Sequence, residues 1–190
     1  TTILYAANGE EIARVFDEED RILVDLMDVP EVVRNATIAI EDKRFHSHRG
    51  FDPIRLVKVT HLEMTQGGQE QGGSTITMQL AREIYLSKRK SFGRKIQELA
   101  LAIEIERRFS KDQILEMYLN QVCYGDRTYG IRAAAERFYH KDLKDLDLHE
   151  VALLAALPNN PEGRSPYNHP QAAKERRDLV LREMSSEGYV

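Results

Sequence analysis

The chain has 190 residues, 42 % hydrophobic and 31 % charged, with a formal net charge of -4 at pH 7. This length suits one globular domain, or one domain with a small lobe. One cysteine excludes an internal disulfide framework, and no Cys/His spacing typical of a zinc site occurs. No apolar run is long enough to span a membrane, and the start lacks a signal-peptide pattern.

The charge is distributed unevenly along the chain. Residues 1–42 carry eleven acidic and three basic side chains, a net of -8, so the remainder has a net charge of +4. Six basic side chains lie between Arg82 and Lys95, against the single acidic side chain of Glu83. This segment predicts an anionic partner, either a nucleic acid or a phosphate group on a small or lipid substrate. No zinc finger or aromatic-interleaved pattern accompanies it to favour nucleic acid.

The first predicted elements are short strands followed by a helix. Apolar and β-branched pieces within residues 3–26 flank the turn signal Asn8-Gly9, which predicts a small strand pair. The sequence Asp28-Val-Pro-Glu31 has the spacing of a capping box with a proline in the first turn. We therefore expect a helix from there to Ile40.

The stretch EDKRFHSHRG, Glu41 to Gly50, begins where that helix is expected to end. Glu41 follows an apolar run and lies at the negative end of the helix dipole, and both conditions disfavour an ionised carboxylate. A carboxylate in such a place suits a general base that works near neutral pH. From these ten residues alone, an acidic helix end before a solvated basic loop remains the alternative.

Two helices are predicted on either side of a glycine-rich segment. Asp52-Pro53 begins a helix to about Met64, and residues 66–73, which include four glycines, are expected to be mobile. Ser74 is expected to cap a helix that runs through Leu86. Helical spacing gives this helix two faces: Thr75, Met78, Gln79 and Arg82 on one, and Ile76, Leu80 and Ile84, able to pack inward, on the other. An anion site and a capped surface helix both fit this pattern.

The clearest helix is predicted from Arg94 to Phe109. Three of its apolar side chains are expected to be buried: Ile96, Leu99 and Ile103. Arg94, Lys95 and Glu98 cluster at helical spacing, so Glu98 lies between two cations. A surface salt bridge is one interpretation, and a carboxylate held ionised beside phosphate-binding groups is the other.

The remaining elements are predicted from caps and stops. A capping box at Ser110-Lys-Asp-Gln113 opens a helix to about Gln121. Its core set is Ile114, Leu115, Tyr118 and Leu119. A loop with Tyr124-Gly125 and Tyr129-Gly130 is expected next, followed by a helix over Ile131 to Tyr139. A further helix, Leu148 to Leu157, is opened by Asp147 with Glu150 three residues later and is apolar nearly all round. The last helix is predicted from Gln171 to about Glu187, before Gly188.

In this order, the segments resemble the peptidoglycan glycosyltransferase domain (glycosyltransferase family 51) of bifunctional class A penicillin-binding proteins and of monofunctional transglycosylases. Four motifs carry the resemblance: EDKRFHSHRG (Glu41 to Gly50), GGSTITMQLAR (Gly72 to Arg82), RKIQE (Arg94 to Glu98), and ILEMYLNQVCYG with GIRAAAERFY (Ile114 to Tyr139). Similarity continues through HEVALLAALPNNP and RRDLVLREM, so it covers nearly the whole chain. The opening YAANGEEIA resembles the segment after the membrane anchor of bifunctional members, which predicts an excised domain.

The resemblance implies a mainly α-helical fold, with a lysozyme-like lobe, a smaller membrane-facing lobe at about residues 53–73, and a minor N-terminal strand pair. Residues 1–190 would form a single domain that polymerises lipid II by inverting transfer to the GlcNAc 4-hydroxyl, releasing undecaprenyl pyrophosphate. Implied partners are lipid II, the growing glycan chain, the membrane surface and a transpeptidase domain in the parent chain, with no nucleic acid. The implied location is the outer face of the bacterial cytoplasmic membrane, with a transmembrane anchor absent from this chain.

The resemblance also assigns roles to residues. Glu41 matches the general base, and Glu98 matches a second acidic residue that orients the cations or holds a divalent metal (Mg or Mn) at the pyrophosphate. Substrate binding is assigned to Asp42, His48, Ser74, Thr75, Gln79, Arg82, Lys90, Arg94 and Lys95. Phe45, His48 and Gly50 are also expected to shape the turn that presents Glu41.

Several positions depart from the family's pattern. The family usually has two glutamines at Met78-Gln79, a Lys at Arg82, an Arg at Lys90, and Tyr-Phe-Gly-Lys at residues 138–141. Charge is retained at both cationic positions, whereas Met78 removes an amide from the expected substrate face. Two alternatives therefore stand beside the glycosyltransferase: a lysozyme-like lytic enzyme, for which the basic segment would be idle, and a non-catalytic module that binds lipid II.

Overall fold

The computed structural model describes residues 2–5, 11–15, 20–54, 73–85 and 92–190. This part of the chain is mainly α-helical, as the sequence predicted. Its helices are α1 (Glu31–Glu41), α2 (Ile76–Tyr85), α3 (Phe92–Arg108), α4 (Lys111–Gln121), α5 (Ile131–Tyr139), α6 (Leu148–Ala156) and α7 (Pro170–Ser186). Its strands are β1 (Thr2–Tyr5), β2 (Glu11–Val15), β3 (Asp20–Arg21), β4 (Cys123–Gly125) and β5 (Thr128–Tyr129).

The helices pack as two groups that share one apolar core. In one group α1, α6 and α7 contact one another, and in the other α2 lies against both α3 and α4. The helix α6 is apolar nearly all round, as predicted, and Val151, Ala152 and Leu154 are buried in the core. Glu41 ends α1, and its side chain bonds to a residue of α2, so the first carboxylate of interest lies where the two groups meet.

Two capping boxes and one glycine stop are confirmed. The Ser110 hydroxyl accepts from the Gln113 amide, and the Gln113 side chain accepts from the Ser110 amide. Asp147 and Glu150 form the corresponding box before α6. Gly188, with φ of +75°, follows the end of α7 in the left-handed region that favours glycine.

The predicted cap of α1 is wrong. Leu26–Asp28 form a short 3-10 helix, so Asp28 does not cap α1. Pro30 is the N-cap residue, and its carbonyl accepts from the amides of Val33 and Arg34. Asp28 therefore lies two residues before the N-cap position, at the end of the 3-10 helix.

Two small sheets lie in the described residues. β1 and β2 pair antiparallel, which confirms the N-terminal strand pair, while Asn8-Gly9 lies outside the described residues. The second sheet has the order β3-β5-β4, with β3 parallel and β4 antiparallel to β5. The expected loop at residues 124–130 is thus a hairpin, whose turn residues Asp126 and Arg127 both have positive φ.

The buried face of α3 differs from the prediction. Ile96 and Ile103 are 58 % and 45 % exposed, and Leu99 is half-buried, whereas Glu98, Ala102 and Ile105 are buried. The backbone at Gly50 lies against the Ala102 carbonyl, an approach that requires a small side chain on the inner face. Sequence periodicity does not contain this contact with the buried side of α3.

Several predictions lie outside the described residues. These are most of the helix from Pro53 to about Met64, the glycine-rich segment up to Gly72, and Lys90. Of that helix, residues 53–54 are helical, and the Asp52 carboxylate accepts from the Ile54 amide at 2.9 Å, as a capping Asp does. Among the described helices, none is both long and apolar enough to cross a membrane.

Candidate active site

Glu41 is the last residue of α1, and its side chain is 2 % exposed. The apolar residues before it pack inward, so the helix delivers the carboxylate into the interior, as predicted. Gln79 on α2 donates from Nε2 to Glu41 Oε2 over 2.7 Å. This hydrogen bond gives one oxygen of the buried carboxylate a partner and fixes its orientation.

Gln79 is itself held from the other side. The hydroxyl of Tyr118, on α4, donates to Gln79 Oε1 over 3.3 Å. Tyr118 is fully buried, and burial, followed by the charge of Glu41, raises the pKa of Tyr118 well above its ordinary value. The phenol therefore stays protonated and remains a donor at neutral pH.

Asp42 and His48 form a buried pair beneath this site. His48 Nε2 lies 2.9 and 3.0 Å from the two Asp42 oxygens, and the backbone amide of Ile76 donates to Asp42 Oδ2 over 3.1 Å. Asp42 is completely buried, and its contacts are with the loop and with the N-terminus of α2. The assignment of both residues to substrate binding remains a prediction; their burial supports the expected role of His48 in shaping the turn.

The N-terminus of α2 is capped one residue later than predicted. Thr75, not Ser74, accepts from the Met78 amide, at 3.1 Å, and its hydroxyl donates to the Gly50 carbonyl over 2.6 Å. Ser74 instead accepts from Lys95 Nζ at 2.5 Å. Thr75 differs from Ser74 in its bond to Gly50, which is 25 residues away in sequence. Rules for helix caps use only neighbouring residues, so they do not include this contact.

Glu98 lies between two cations, as predicted, and it is 1 % exposed. Arg94 Nε is 3.1 Å from Glu98 Oε1, and Lys95 Nζ is 3.1 Å from Glu98 Oε2. The interpretation as a surface salt bridge is therefore wrong for the carboxylate, although the Lys95 side chain is 46 % exposed. The arrangement holds two positive groups in fixed positions at the edge of the protein.

The two faces predicted for α2 need correction. Met78 and Gln79 are both buried, while Ile84, expected to pack inward, is 41 % exposed. Met78 therefore removes no amide from an accessible face. The Arg82 side chain is one-third exposed, and its Nε lies 3.4 Å from the Glu83 carboxylate. Lys90 lies outside the described residues.

Comparison with known proteins identifies the family. The family described as Transglycosylase matches residues 8–185. The chain belongs to the transglycosylase family. The match contains every candidate residue named above.

Relatives of this transglycosylase chain are much longer. Penicillin-binding protein 1F of Bacillus subtilis (strain 168) is 45 % identical over 183 residues, which are 96 % of this chain and 26 % of that protein. Penicillin-binding protein 1A of Aquifex aeolicus (strain VF5) is 45 % identical over 172 residues, 90 % of this chain and 24 % of the relative. The chain thus spans about a quarter of the length of these relatives.

A solved structure shares the fold. The 2.6 Å crystal structure of penicillin-binding protein 1A from Haemophilus influenzae superposes with a TM-score of 0.55 at 26 % sequence identity. The superposition covers 99 % of this chain and 18 % of that one. The mainly helical architecture of the transglycosylase chain is therefore shared with a penicillin-binding protein.

In this transglycosylase domain, the residues 74–79 connect the two carboxylate clusters. Ser74 bonds to Lys95, Thr75 to Gly50, Ile76 to Asp42, and Gln79 to Glu41. A buried carboxylate with an aligned donor can accept a proton, and the paired cations of α3 can stabilise negative charge. The first turns of α2 fix these two functions relative to each other.

The surroundings of Glu98 do not fit a divalent metal ion. Magnesium and manganese prefer several oxygen ligands, whereas the two oxygens of Glu98 face Arg94 and Lys95. Within the described ranges, the single cluster of His, Cys, Asp or Glu able to hold an ion consists of Asp147, His149 and Glu150. We therefore assign no chemical step to a metal at Glu98.

Two features of this site were not predicted from the sequence: the hydrogen bond of Tyr118 and a network around Glu106. Tyr118 was predicted only as a core residue, although a buried tyrosine usually needs a partner for its hydroxyl, and that was the available signal. A second network was not predicted at all: Glu106 Oε1 accepts from the Thr77 hydroxyl and from Lys111 Nζ, each at 2.6 Å. The Lys111 ammonium also lies 4.5 Å from the centre of the Phe45 ring, which ties the loop after Glu41 to α4.

Proposed function

We propose that this domain is a peptidoglycan glycosyltransferase that polymerises lipid II. Family membership supports the reaction class, and one structural observation carries the proposal: Glu41 is buried, accepts from Gln79, and is joined through α2 to the cations around Glu98. A base and a cationic cluster are the two functions that transfer of a sugar from a pyrophosphate requires.

In the proposed reaction, Glu41 takes the proton from the 4-hydroxyl of the acceptor GlcNAc. The oxygen, with its electron pair, attacks the anomeric carbon of the donor MurNAc from the face opposite the pyrophosphate. The bond from that carbon to the pyrophosphate oxygen breaks, and undecaprenyl pyrophosphate leaves with the bonding electrons. The new glycosidic bond has inverted configuration, and Glu41 must then release its proton to solvent.

The leaving group develops negative charge, which Arg94 and Lys95 are placed to stabilise. Glu98 holds both side chains in orientation, because each of its oxygens faces one of them. Arg82, one turn beyond Gln79 on α2, adds a partly exposed guanidinium, and Lys90 remains a predicted member of this group. Fixed cations avoid the reorganisation that water would need when the charge appears.

The proposed partners are lipid II, the growing glycan chain and the membrane that carries them. Exposed apolar side chains after the turn that follows Glu41 and on α3 support contact with a lipid surface: Phe51, Ile54, Ile96 and Ile103. We also propose that the parent protein carries a transpeptidase domain and acts at the outer face of the cytoplasmic membrane. The relatives named penicillin-binding proteins, of which this chain spans about a quarter, motivate this last proposal.

The decisive experiment compares two isosteric changes on the same helix. Glu41→Gln is expected to reduce polymerisation of lipid II in detergent by about 10²- to 10⁴-fold, the usual contribution of positioned proton transfer. Glu31→Gln, at the exposed first turn of α1, is the matched control and should retain full activity. Normal polymerisation by Glu41→Gln would remove Glu41 as the base.

The same preparation separates the two alternatives. A lytic enzyme would release soluble muropeptides from cell-wall sacculi and would not elongate lipid II. A binding module would bind lipid II tightly without releasing undecaprenyl pyrophosphate. Either result would replace the glycosyltransferase proposal.

A further inference from the structure

We propose that Tyr118 is a positioning residue for the general base, acting on Glu41 through the side-chain amide of Gln79. This inference rests on the proposed role of Glu41. The three side chains come from three helices: Glu41 from α1, Gln79 from α2 and Tyr118 from α4. The resulting chain of hydrogen bonds crosses the boundary between the two helix groups.

The hydrogen bonds have a defined direction. An ionised Glu41 can only accept, so Gln79 must present its NH₂ group to the carboxylate, which it does at 2.7 Å. This leaves the carbonyl end of the amide pointing at α4, where it needs a donor. Tyr118 supplies that donor at 3.3 Å and stays protonated because burial and the charge of Glu41 oppose its ionisation.

Tyr118 prevents the side-chain amide of Gln79 from flipping. All three side chains are at most 5 % exposed, so water cannot easily replace a lost partner. Without the hydroxyl, the buried carbonyl oxygen of Gln79 loses the donor that Tyr118 supplies. The amide orientation that serves Glu41 is then held only by the hydrogen bond to Glu41 itself. The base then spends less time aligned, which lowers the rate of proton transfer but leaves the substrate contacts of the cations unchanged.

The test is a double-mutant cycle between Tyr118 and Gln79, measured as kcat and KM for lipid II polymerisation. Tyr118→Phe removes only the hydroxyl and is expected to lower kcat by about three- to tenfold with KM unchanged. Gln79→Met removes both ends of the amide. In the Gln79→Met background, Tyr118→Phe should have no further effect on kcat, because Tyr118 acts through Gln79.

Tyr124→Phe is the matched control. Tyr124 is equally buried, and burial followed by the charge of Glu41 also raises the pKa of Tyr124, yet its hydroxyl has no hydrogen bond to Gln79. Loss of this second phenol should leave kcat unchanged. Equal losses from Tyr118→Phe and Tyr124→Phe, or effects of Tyr118→Phe and Gln79→Met that multiply independently, would overturn the proposal.

A second measurement does not depend on turnover. The side-chain amide of Gln79 should give protected NMR resonances whose hydrogen exchange accelerates in Tyr118→Phe and not in Tyr124→Phe; unchanged exchange in Tyr118→Phe would overturn the proposal. Failure of the proposed function gives a different pattern, since Glu41→Gln would then retain activity or the unsubstituted chain would not polymerise lipid II. If Glu41→Gln is inactive while Tyr118→Phe is normal in both assays, only the role of Tyr118 is removed.

Discussion

Gly50 shows how strongly one position can constrain this site. Its φ of +92° is one that side chains with a Cβ rarely adopt, and an added Cβ would lie 2.9 Å from the carbonyl carbon and oxygen of Ala102. The neighbouring Thr75 hydroxyl donates to the Gly50 carbonyl. The turn after Glu41 therefore touches both α2 and α3 at a residue that only glycine fits.

Gly50→Ala is expected to destabilise the domain by roughly 2–4 kcal/mol, because backbone strain and a backbone clash act together. Gly93→Ala is the matched control, since Gly93 lies in α3 with nothing within 4 Å of an added Cβ. That change should be neutral or stabilise the domain by about 0.5–1 kcal/mol through helix propensity. Urea unfolding of both variants gives the comparison, and equal stabilities would contradict the assignment.

Tyr118 could not be assigned from residue patterns. Its helical spacing correctly predicted a core position, since Ile114, Leu115 and Leu119 are buried beside it. Its function depends on Gln79, which is 39 residues away in sequence. Local periodicity tells which side of a helix is buried, but it does not tell which polar group lies opposite.

Among the helices, α2 and the residues just before it connect the Glu41 carboxylate with the cations around Glu98. The carboxylate of Asp42 accepts from the first amide of the helix, and negative charge is favourable at that end of the helix dipole. Thr75 caps the same turn. The helix is therefore fixed at its start, and this fixes the direction in which Gln79 points four residues later.

The corrected cap of α2 leads to a stability prediction. Thr75→Ala is expected to lower the free energy of unfolding by about 1–2 kcal/mol, because the Met78 amide loses its acceptor and the Gly50 carbonyl loses its donor. Ser74→Ala, which removes a hydroxyl that bonds to a largely exposed lysine, should cost less than about 0.5 kcal/mol. Thermal or urea unfolding distinguishes the two, and the reverse order would restore Ser74 as the cap.

Helix starts and ends were well predicted from sequence where the capping residues lie next to each other in the chain. The boxes at Ser110-Gln113 and Asp147-Glu150 and the stop at Gly188 each depend on residues within one turn, so short patterns suffice. The inward face of α3 failed for the opposite reason. Apolar side chains at Ile96 and Ile103 predicted burial, whereas the face that carries Glu98 and lies against Gly50 is the buried one.

Across the whole molecule, the motifs predicted the local surroundings of the two carboxylates better than the contacts that connect them. Glu41 lies at a helix end and Glu98 between two cations, as predicted, and both are buried. The connection between them runs through contacts such as Gln79 to Glu41, whose partners are distant in sequence. Those contacts are set by tertiary packing, which a single sequence does not display.

Asn120 also connects residues that are distant in sequence. Its Oδ1 accepts from the Val24 amide at 2.9 Å, and its Nδ2 donates to the Val24 carbonyl at 2.8 Å and to the Glu116 carbonyl at 3.0 Å. Glu116 adds a bond to the Leu26 amide at 2.8 Å. The helix α4 thus holds the segment that leads into α1, and α1 in turn carries Glu41.

Asn120→Ala is expected to destabilise the domain by about 2–4 kcal/mol, because the amide and carbonyl of Val24 both lose a buried partner. The amide of Val24 should also exchange its hydrogen faster, since the segment before α1 is released from α4. Asn159→Ala, at an exposed asparagine after α6, is the matched control and should change stability by less than about 0.5 kcal/mol. Denaturant unfolding with hydrogen exchange measures both effects. If Asn120→Ala loses stability while the Val24 amide stays protected, the asparagine acts within α4 alone and does not hold the start of α1.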